Sequence, residues 1–389
     1  MRILYFSRDY TPHDYRFLSA LADSEHRVYY MQLERRGHTV EDRALPPQIE
    51  QVAWRGGQNP ARLKDGLGLL LDLKRVIRQI QPDLIQAGPL QRSALLVALA
   101  GFHPLLSMSW GYDLLIDAGR NTAWRWATRY TLGRSDALLG DCDIIRKLAI
   151  AHGVPPERIV TFPWGIDLEH FCPGEEALLH GSPINSAIST TGDQPVPFRL
   201  LSTRGWEPIY GVETIARAFV QVSRQRPESH LVMLGNGSQA SLLRHILSVD
   251  GTMSERQTLP YENSQIERVL FPGHVSYAEL PRYYRSADLY VSASHSDGTS
   301  ISLLEAMACG IPVLVSDIPG NREWVTPSEN GWLFPEGDAD ALARAILKAI
   351  EGRQRLPEMG RAARKLVEQR ADWKRNFPKL FAAYDLALR

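Results

Sequence analysis

The sequence predicts an α/β protein built from two doubly wound parallel sheets facing a cleft, and three observations carry the prediction. Apolar runs of strand length alternate with helix-period patterns along most of the chain, as when parallel strands are joined by covering helices. The alternation runs twice, with an aperiodic stretch rich in Gly, Ser, Thr and Pro at 173–197 between the two series. At 389 residues, 44% hydrophobic and 23% charged, the chain is long enough for two cores.

The first series reads, in order, strand 3–7, helix 14–23, strand 27–31, a longer amphipathic helix 62–80, strand 83–86, helix 91–100, strand 105–109, helix 123–133, strand 137–139, helix 143–151 and strand 158–162. The strands are short apolar runs, and the helices repeat apolar residues three and four apart. Residues 1–172 are therefore one domain. The second series reads strand 198–202, helix 212–222, strand 230–234, helix 238–247, strand 269–271, helix 277–285, strand 289–292, helix 300–309 and strand 312–315, within a second domain at 198–369. Between them, 173–197 is a linker with a loop, and the polar segment 250–265 is a surface insertion. The closing stretch 370–389 places Trp373, Phe377, Leu380, Phe381 and Tyr384 on one helical face, which suits packing on its own domain.

Composition removes several classes. Lys plus Arg equals Asp plus Glu at 44 each, so no nucleic-acid partner is expected. Cys142, Cys172 and Cys309 have neither metal-site nor disulfide spacing. The N-terminus enters an apolar strand without a leader pattern, and no run approaches the ~18 apolar residues of a membrane span, so a cytoplasmic location is expected.

The strongest chemical signal lies at 294–316. Asp297 and Glu305 stand eight positions apart, between the strands 289–292 and 312–315 and across the start of a short helix. Free N–H groups and the positive dipole end of that helix face the loop 297–299, an anion site in waiting. Asp297 precedes the helix while Glu305 lies more than a turn inside it, among Leu303, Leu304, Ala306 and Met307, where a carboxylate needs a partner. One carboxylate addresses the part of a ligand beyond its phosphates and the other a neighbouring sugar ring, which is the shape of a nucleotide sugar.

This segment, with Asp317 to Val325 after it, resembles the Glu-x7-Glu signature of the retaining, family-four type glycosyltransferases of GT-B fold. The resemblance extends over nearly the whole chain and is strongest from 269 to 325. It implies transfer of a sugar from a nucleoside-diphosphate sugar to a hydroxyl acceptor, carbohydrate or lipid-linked, with retention of anomeric configuration. Glu305 would hold the ribose hydroxyls. Asp297, where relatives carry Glu, would hold the donor sugar with the backbone of Gly298, Thr299, Ser300, Ile301 and Ser302. Arg204 matches the family's diphosphate-binding arginine, whereas Tyr210 stands where the family's lysine is found. Val275 sits at the turn that meets the base, and Gly235 opens a loop of phosphate-binding look that a simple tight turn explains better. No metal-chelating carboxylate pair flanks the site, so neither a cofactor nor a divalent ion is required.

The first domain departs from the family pattern. Its Gly-Gly pair is replaced by a run from Arg8 to Arg16 in which His13 and Arg16 supply side chains instead; the other reading makes Asp14 a cap of the first helix and His13 a loop residue. Trp110 takes the place of a family histidine, leaving Asp113 as the polar group for donor or acceptor, with a helix cap as its other reading. Arg120, Trp124, Arg125, Trp126, Arg129, Tyr130 and Arg134 read as a half-buried helix with a solvated face, with peripheral contact at the inner membrane face as the other reading. A sugar-nucleotide epimerase of the same fold and a non-catalytic nucleotide-sugar binder are the alternative functions.

Overall fold

The computed structural model describes residues 1–35, 41–174, 197–249 and 268–389. Most of the expected linker and all of the insertion expected at 250–265 lie outside the described residues.

The chain divides into two compact units, one of Met1–Trp164 with Lys374–Arg389 and the other of Gly165–Trp373. The first boundary therefore falls earlier than residue 172. Ile166 donates its N–H to Ala371 O at 2.8 Å and accepts from Trp373 N at 3.0 Å, tying 165–172 to the far end of the second unit. Gly165 makes this possible, because at φ +73° a Cβ there would lie 2.4 Å from Ala371 O. Phe171, fully buried, joins the same core against Tyr284.

The first unit is a seven-stranded parallel sheet comprising β1 (Arg2–Ser7), β2 (Arg27–Gln32), β3 (Glu50–Gln51), β4 (Leu84–Ala87), β5 (Leu105–Met108), β6 (Ala137–Gly140) and β7 (Ile159–Thr161), in the order β3-β2-β1-β4-β5-β6-β7. The second is a six-stranded parallel sheet of β8 (Phe198–Ser202), β9 (Ser229–Leu234), β10 (Val269–Gly273), β11 (Leu289–Ser292), β12 (Val313–Ser316) and β13 (Gly331–Phe334), in the order β10-β9-β8-β11-β12-β13. The runs LIQA in β4, LYVS in β11 and VLVS in β12 are buried at every position, as strands covered by helices on both faces must be. The helices earn their places by period: Gly66–Ile80 buries Leu69, Leu73 and Val76, and Val212–Gln225 buries Val212, Ile215, Ala216, Phe219 and Val222.

Several boundaries shift for local reasons. The first helix runs Pro12–Ala22 because Thr11 is its N-cap and Asp14, three residues on, answers back to the Thr11 N–H in a capping box. The expected helix 91–100 opens as a π turn at Leu90–Ala94 before Leu95–Ala100. Between 326 and 369, where the sequence reading assigns no element, lie β13 and the helices Ala339–Glu351 and Leu356–Arg370. The closing stretch is broken at Pro378 into Trp373–Asn376 and Lys379–Leu388. The latter packs on the sheet of the first unit, where the Tyr384 hydroxyl donates to Gln86 Oε1 at 2.6 Å.

Candidate active site

In the second unit the sheet order reverses at one place, between β8 and β11. These strands are paired, Leu289 beside Leu200 and Tyr290 beside Leu201, yet β8 leads on to β9 at one flank and β11 to β12 at the other. Connections leaving in opposite directions open a crevice at the carboxyl ends of the two strands. The segment 203–211 after β8 and the segment 293–300 after β11 border it. They approach closely at Gly211, where φ is +56° and a Cβ would stand 2.2 Å from Ala293 O.

Arg204 is the centre of the crevice. One terminal nitrogen pairs with Asp297 Oδ2 at 2.7 Å, and the other donates to Ser300 Oγ at 3.0 Å and Ser302 Oγ at 3.1 Å. The guanidinium lies over the Tyr210 ring, 4.1 Å from its centroid. Burial is the largest influence and works against its charge, but the Asp297 carboxylate together with the phenols of Tyr210, Tyr290 and Tyr284 holds Arg204 above its ordinary value. Its Nε is buried with no hydrogen-bond partner among the described residues. Tyr210 is thus a stacking platform for the arginine.

The helix after β11 runs Ile301–Ala308, with Ser300 as N-cap accepting from Leu303 N. Glu305, 7% exposed, lies inside it, and Oε2 accepts from the Tyr284 hydroxyl at 2.8 Å. Tyr284, on the helix Leu280–Arg285, also meets Thr203 Oγ1 at 2.9 Å, so Glu305 is linked back to the loop carrying Arg204. Burial, then the nearby Glu305 carboxylate, hold the Tyr284 phenol well above its ordinary value, keeping it a proton donor. Tyr290 in β11 braces the other side by donating to Ser302 Oγ at 2.8 Å. Sequence reasoning missed Thr203, Tyr284 and Tyr290. The available signal was two tyrosines in apolar elements, whose hydroxyls need partners when buried.

The remaining positions sort by surroundings. Gly298, Thr299 and Ser300 are buried, while Ile301 and Ser302 are half-buried. Gly320, after β12, lets the loop sit down, since a Cβ there would be 2.1 Å from Gly298 O. Gly235, at φ +93°, lies beside the Arg204 carbonyl. Its loop is a tight turn, not a free anion cradle. Glu207 accepts from Ser238 N at 3.1 Å and Ser238 Oγ at 2.5 Å, and the helix starts only at Ala240. Val275, half-buried, follows the end of neighbouring β10, where Gly235 N donates to Gly273 O at 2.8 Å.

In the first unit, His13 packs edge-on to Trp110 and Trp164 at 5.2 and 5.0 Å between ring centroids, and Arg16 is half-buried on the same helix. Asp113 is assigned differently from the expected sugar contact. It is fully buried, and its carboxylate accepts from Ser109 Oγ at 2.6 Å and from Leu90, Trp110 and Leu114 N at 3.1, 3.3 and 2.9 Å. Burial raises it above the usual carboxylate range, against the pull of these bonds. Those partners make Asp113 the staple of the turn after β5.

Comparison with known proteins matches both halves. Residues 13–170 fit the family described as Glycosyltransferase Family 4, and residues 197–366 fit Glycosyl transferases group 1. A D-inositol 3-phosphate glycosyltransferase of Segniliparus rotundus is 27% identical over 238 residues, 61% of this chain and 49% of that protein. A GDP-mannose-dependent monoacylated alpha-(1-6)-phosphatidylinositol monomannoside mannosyltransferase of Corynebacterium glutamicum is 26% identical over 59% of this chain and 56% of its own length. The chain thus spans about half the length of these curated relatives. Among solved structures, Anabaena HepE in complex with UDP and glucose superposes with a TM-score of 0.77 at 18% identity, over 99% of each chain. With both halves matched and the fold shared from end to end, the chain belongs to the family-four type of GT-B glycosyltransferases.

Proposed function

We propose that this protein transfers a sugar from a nucleoside-diphosphate sugar to a hydroxyl acceptor, with retention of configuration. The observation that carries the reading is the convergence of Arg204 with Ser300 and Ser302 at the start of the helix Ile301–Ala308, with Glu305 held farther along the same helix. A planar guanidinium beside a helix N-terminus suits a diphosphate. A carboxylate fixed by a tyrosine suits a pair of ribose hydroxyls. HepE, whose structure holds UDP and glucose, supports such a ligand for the shared fold.

In the transfer, the bond from the anomeric carbon to the diphosphate oxygen breaks and a bond to the acceptor oxygen forms on the same face. The acceptor proton passes to the departing phosphate, so no side-chain base is needed. Arg204 and the helix N–H groups stabilise the charge that grows on the leaving group. Asp297, freed from Arg204 as the diphosphate arrives, turns to the donor sugar.

The test is incubation with a panel of nucleotide sugars and simple glycoside and polyol acceptors, reading released nucleoside diphosphate and the anomeric configuration of the product. Release with a retained linkage supports the proposal. An epimerised donor formed without acceptor, an inverted product, or no affinity for any member of the panel overturns it.

A further inference from the structure

Four of the nine exposed large hydrophobic side chains among the described residues sit on three helices of the first unit: Leu67 and Leu71, 71% and 61% exposed, on Gly66–Ile80, Leu99 on Leu95–Ala100, and Trp126, 55% exposed, on Thr122–Arg134. The three helices form one layer. The first packs on the second and the second on the third, and all turn their other side to the same core, through Leu69, Leu73 and Val76, through Val97 and Ala98, and through Tyr130. Leu67 and Leu71 are one turn apart on the side opposite Leu69 and Leu73, so they point away from that core. Trp126 stacks on Tyr130 at 5.2 Å and 20° between planes.

The charge on this layer departs from the balance of the chain. The three helices carry Lys74, Arg75, Arg78, Arg125, Arg129 and Arg134 against a single acidic residue, Asp72, whereas the whole chain has 44 of each sign. Asp72 is itself paired to Arg75 at 2.6 Å. Leucines and an indole left in water among excess arginines suit neither a solvated face nor a protein core. They suit the boundary of a lipid bilayer, where apolar tips enter the acyl region, an indole rests at headgroup level, and basic side chains reach anionic phosphates.

We propose that this helical layer docks on an anionic membrane surface. The inference stands apart from the proposed sugar transfer, because it uses none of the residues assigned to it. The protein would lie against the membrane without spanning it, in keeping with the finding that no helix among the described residues is long and apolar enough to cross one.

The test is co-sedimentation of the full chain with phosphatidylcholine vesicles and with vesicles containing about 30% phosphatidylglycerol, at low and high salt. Binding is expected with the anionic vesicles only, weakening with salt. Trp126→Asp and Leu71→Asp should each abolish it, and Arg125→Glu with Arg129→Glu should weaken it more than about ten-fold. Leu242→Asp, at an exposed leucine of the second unit, should leave it unchanged, and thermal melts of all variants report whether folding is intact. Equal binding to both vesicles, no binding, or binding indifferent to Trp126 and Leu71 in folded variants would overturn the proposal. A lipid-free dimer dispersed by Leu71→Asp would overturn it too, assigning the layer to a second copy of the chain.

Discussion

The Tyr284 hydroxyl donates to Glu305 Oε2 at 2.8 Å while meeting Thr203 Oγ1 at 2.9 Å, so one buried phenol fixes the glutamate of the signature helix and ties it to the loop after β8. Glu305 sits in an apolar helix and would pay heavily for an unpartnered charge. The tyrosine removes that cost and leaves the carboxylate oriented for a ligand.

Tyr284→Phe should therefore weaken nucleoside-diphosphate binding about ten-fold, the scale of one hydrogen bond to a charged group, while kcat at saturating donor changes little. Glu305→Gln should weaken binding further. Titration calorimetry beside steady-state kinetics separates the two effects, and a fall in kcat with unchanged affinity would assign Tyr284 to the chemistry.

Asp297 is held by Arg204 at 2.7 Å, with a fifth of its side chain exposed. Asp297→Asn keeps the size and removes the charge. Nucleoside-diphosphate affinity should hold or tighten, because Arg204 no longer has a competing anion, whereas turnover should fall at least about a hundred-fold. Full turnover in this variant would reduce Asp297 to a tether for the arginine.

In the proposed transfer the leaving-group charge is met by Arg204 and the helix after Ser300, so turnover should survive exhaustive chelation. Arg204→Lys should lose most of the rate, since an ammonium cannot reach Asp297, Ser300 and Ser302 together. Loss of activity with chelator and its recovery with magnesium or manganese would contradict this account of the leaving group.

How much of this was legible follows from what each residue shows in one dimension. The signature helix stood out because its carboxylates interrupt a run bounded by two apolar strands, and Arg204 because it follows a strand directly. Asp113 misled, since a carboxylate wholly used by Ser109 and three backbone N–H groups looks in sequence like one available to a ligand. Tyr284 was hidden for the opposite reason, as a tyrosine in an apolar helix reads as core until its hydroxyl is seen at Glu305. The helices Ala339–Glu351 and Leu356–Arg370 were legible but not read: Leu342 and Ile346 in one, and Leu356, Met359, Ala363 and Val367 in the other, recur at helical spacing on the buried face. The basic aromatic stretch read as a half-buried helix with a solvated face, and the proposed membrane contact rests on what sequence does not show, the exposure of Trp126 and its company with Leu67, Leu71 and Leu99.

Asp14 offers a test in the first unit. Burial raises its carboxyl to about 7, against the bonds from Thr11 that lower it. The folded state then holds a proton that the unfolded chain releases near its ordinary value of 3.8, so stability from this group is greatest at low pH and is lost as pH rises from about 4 to about 7. Asp14→Asn should flatten that part of the stability profile relative to wild type, by a few kcal/mol on the order-of-magnitude conversion of the shift. Chemical denaturation across the range checks it, and parallel profiles would show that Asp14 titrates normally.

The most direct measurement of the central claim compares nucleoside diphosphate with nucleoside monophosphate binding in wild type and Arg204→Ala, using titration calorimetry with uridine and guanosine nucleotides. Arg204 is assigned to the diphosphate and not to the base or ribose. The account predicts that wild type prefers the diphosphate and that Arg204→Ala removes most of that preference, a loss of about ten-fold or more, while monophosphate affinity barely moves. Equal losses for both ligands, or a diphosphate preference that survives without Arg204, would contradict the assignment on which the proposed chemistry rests.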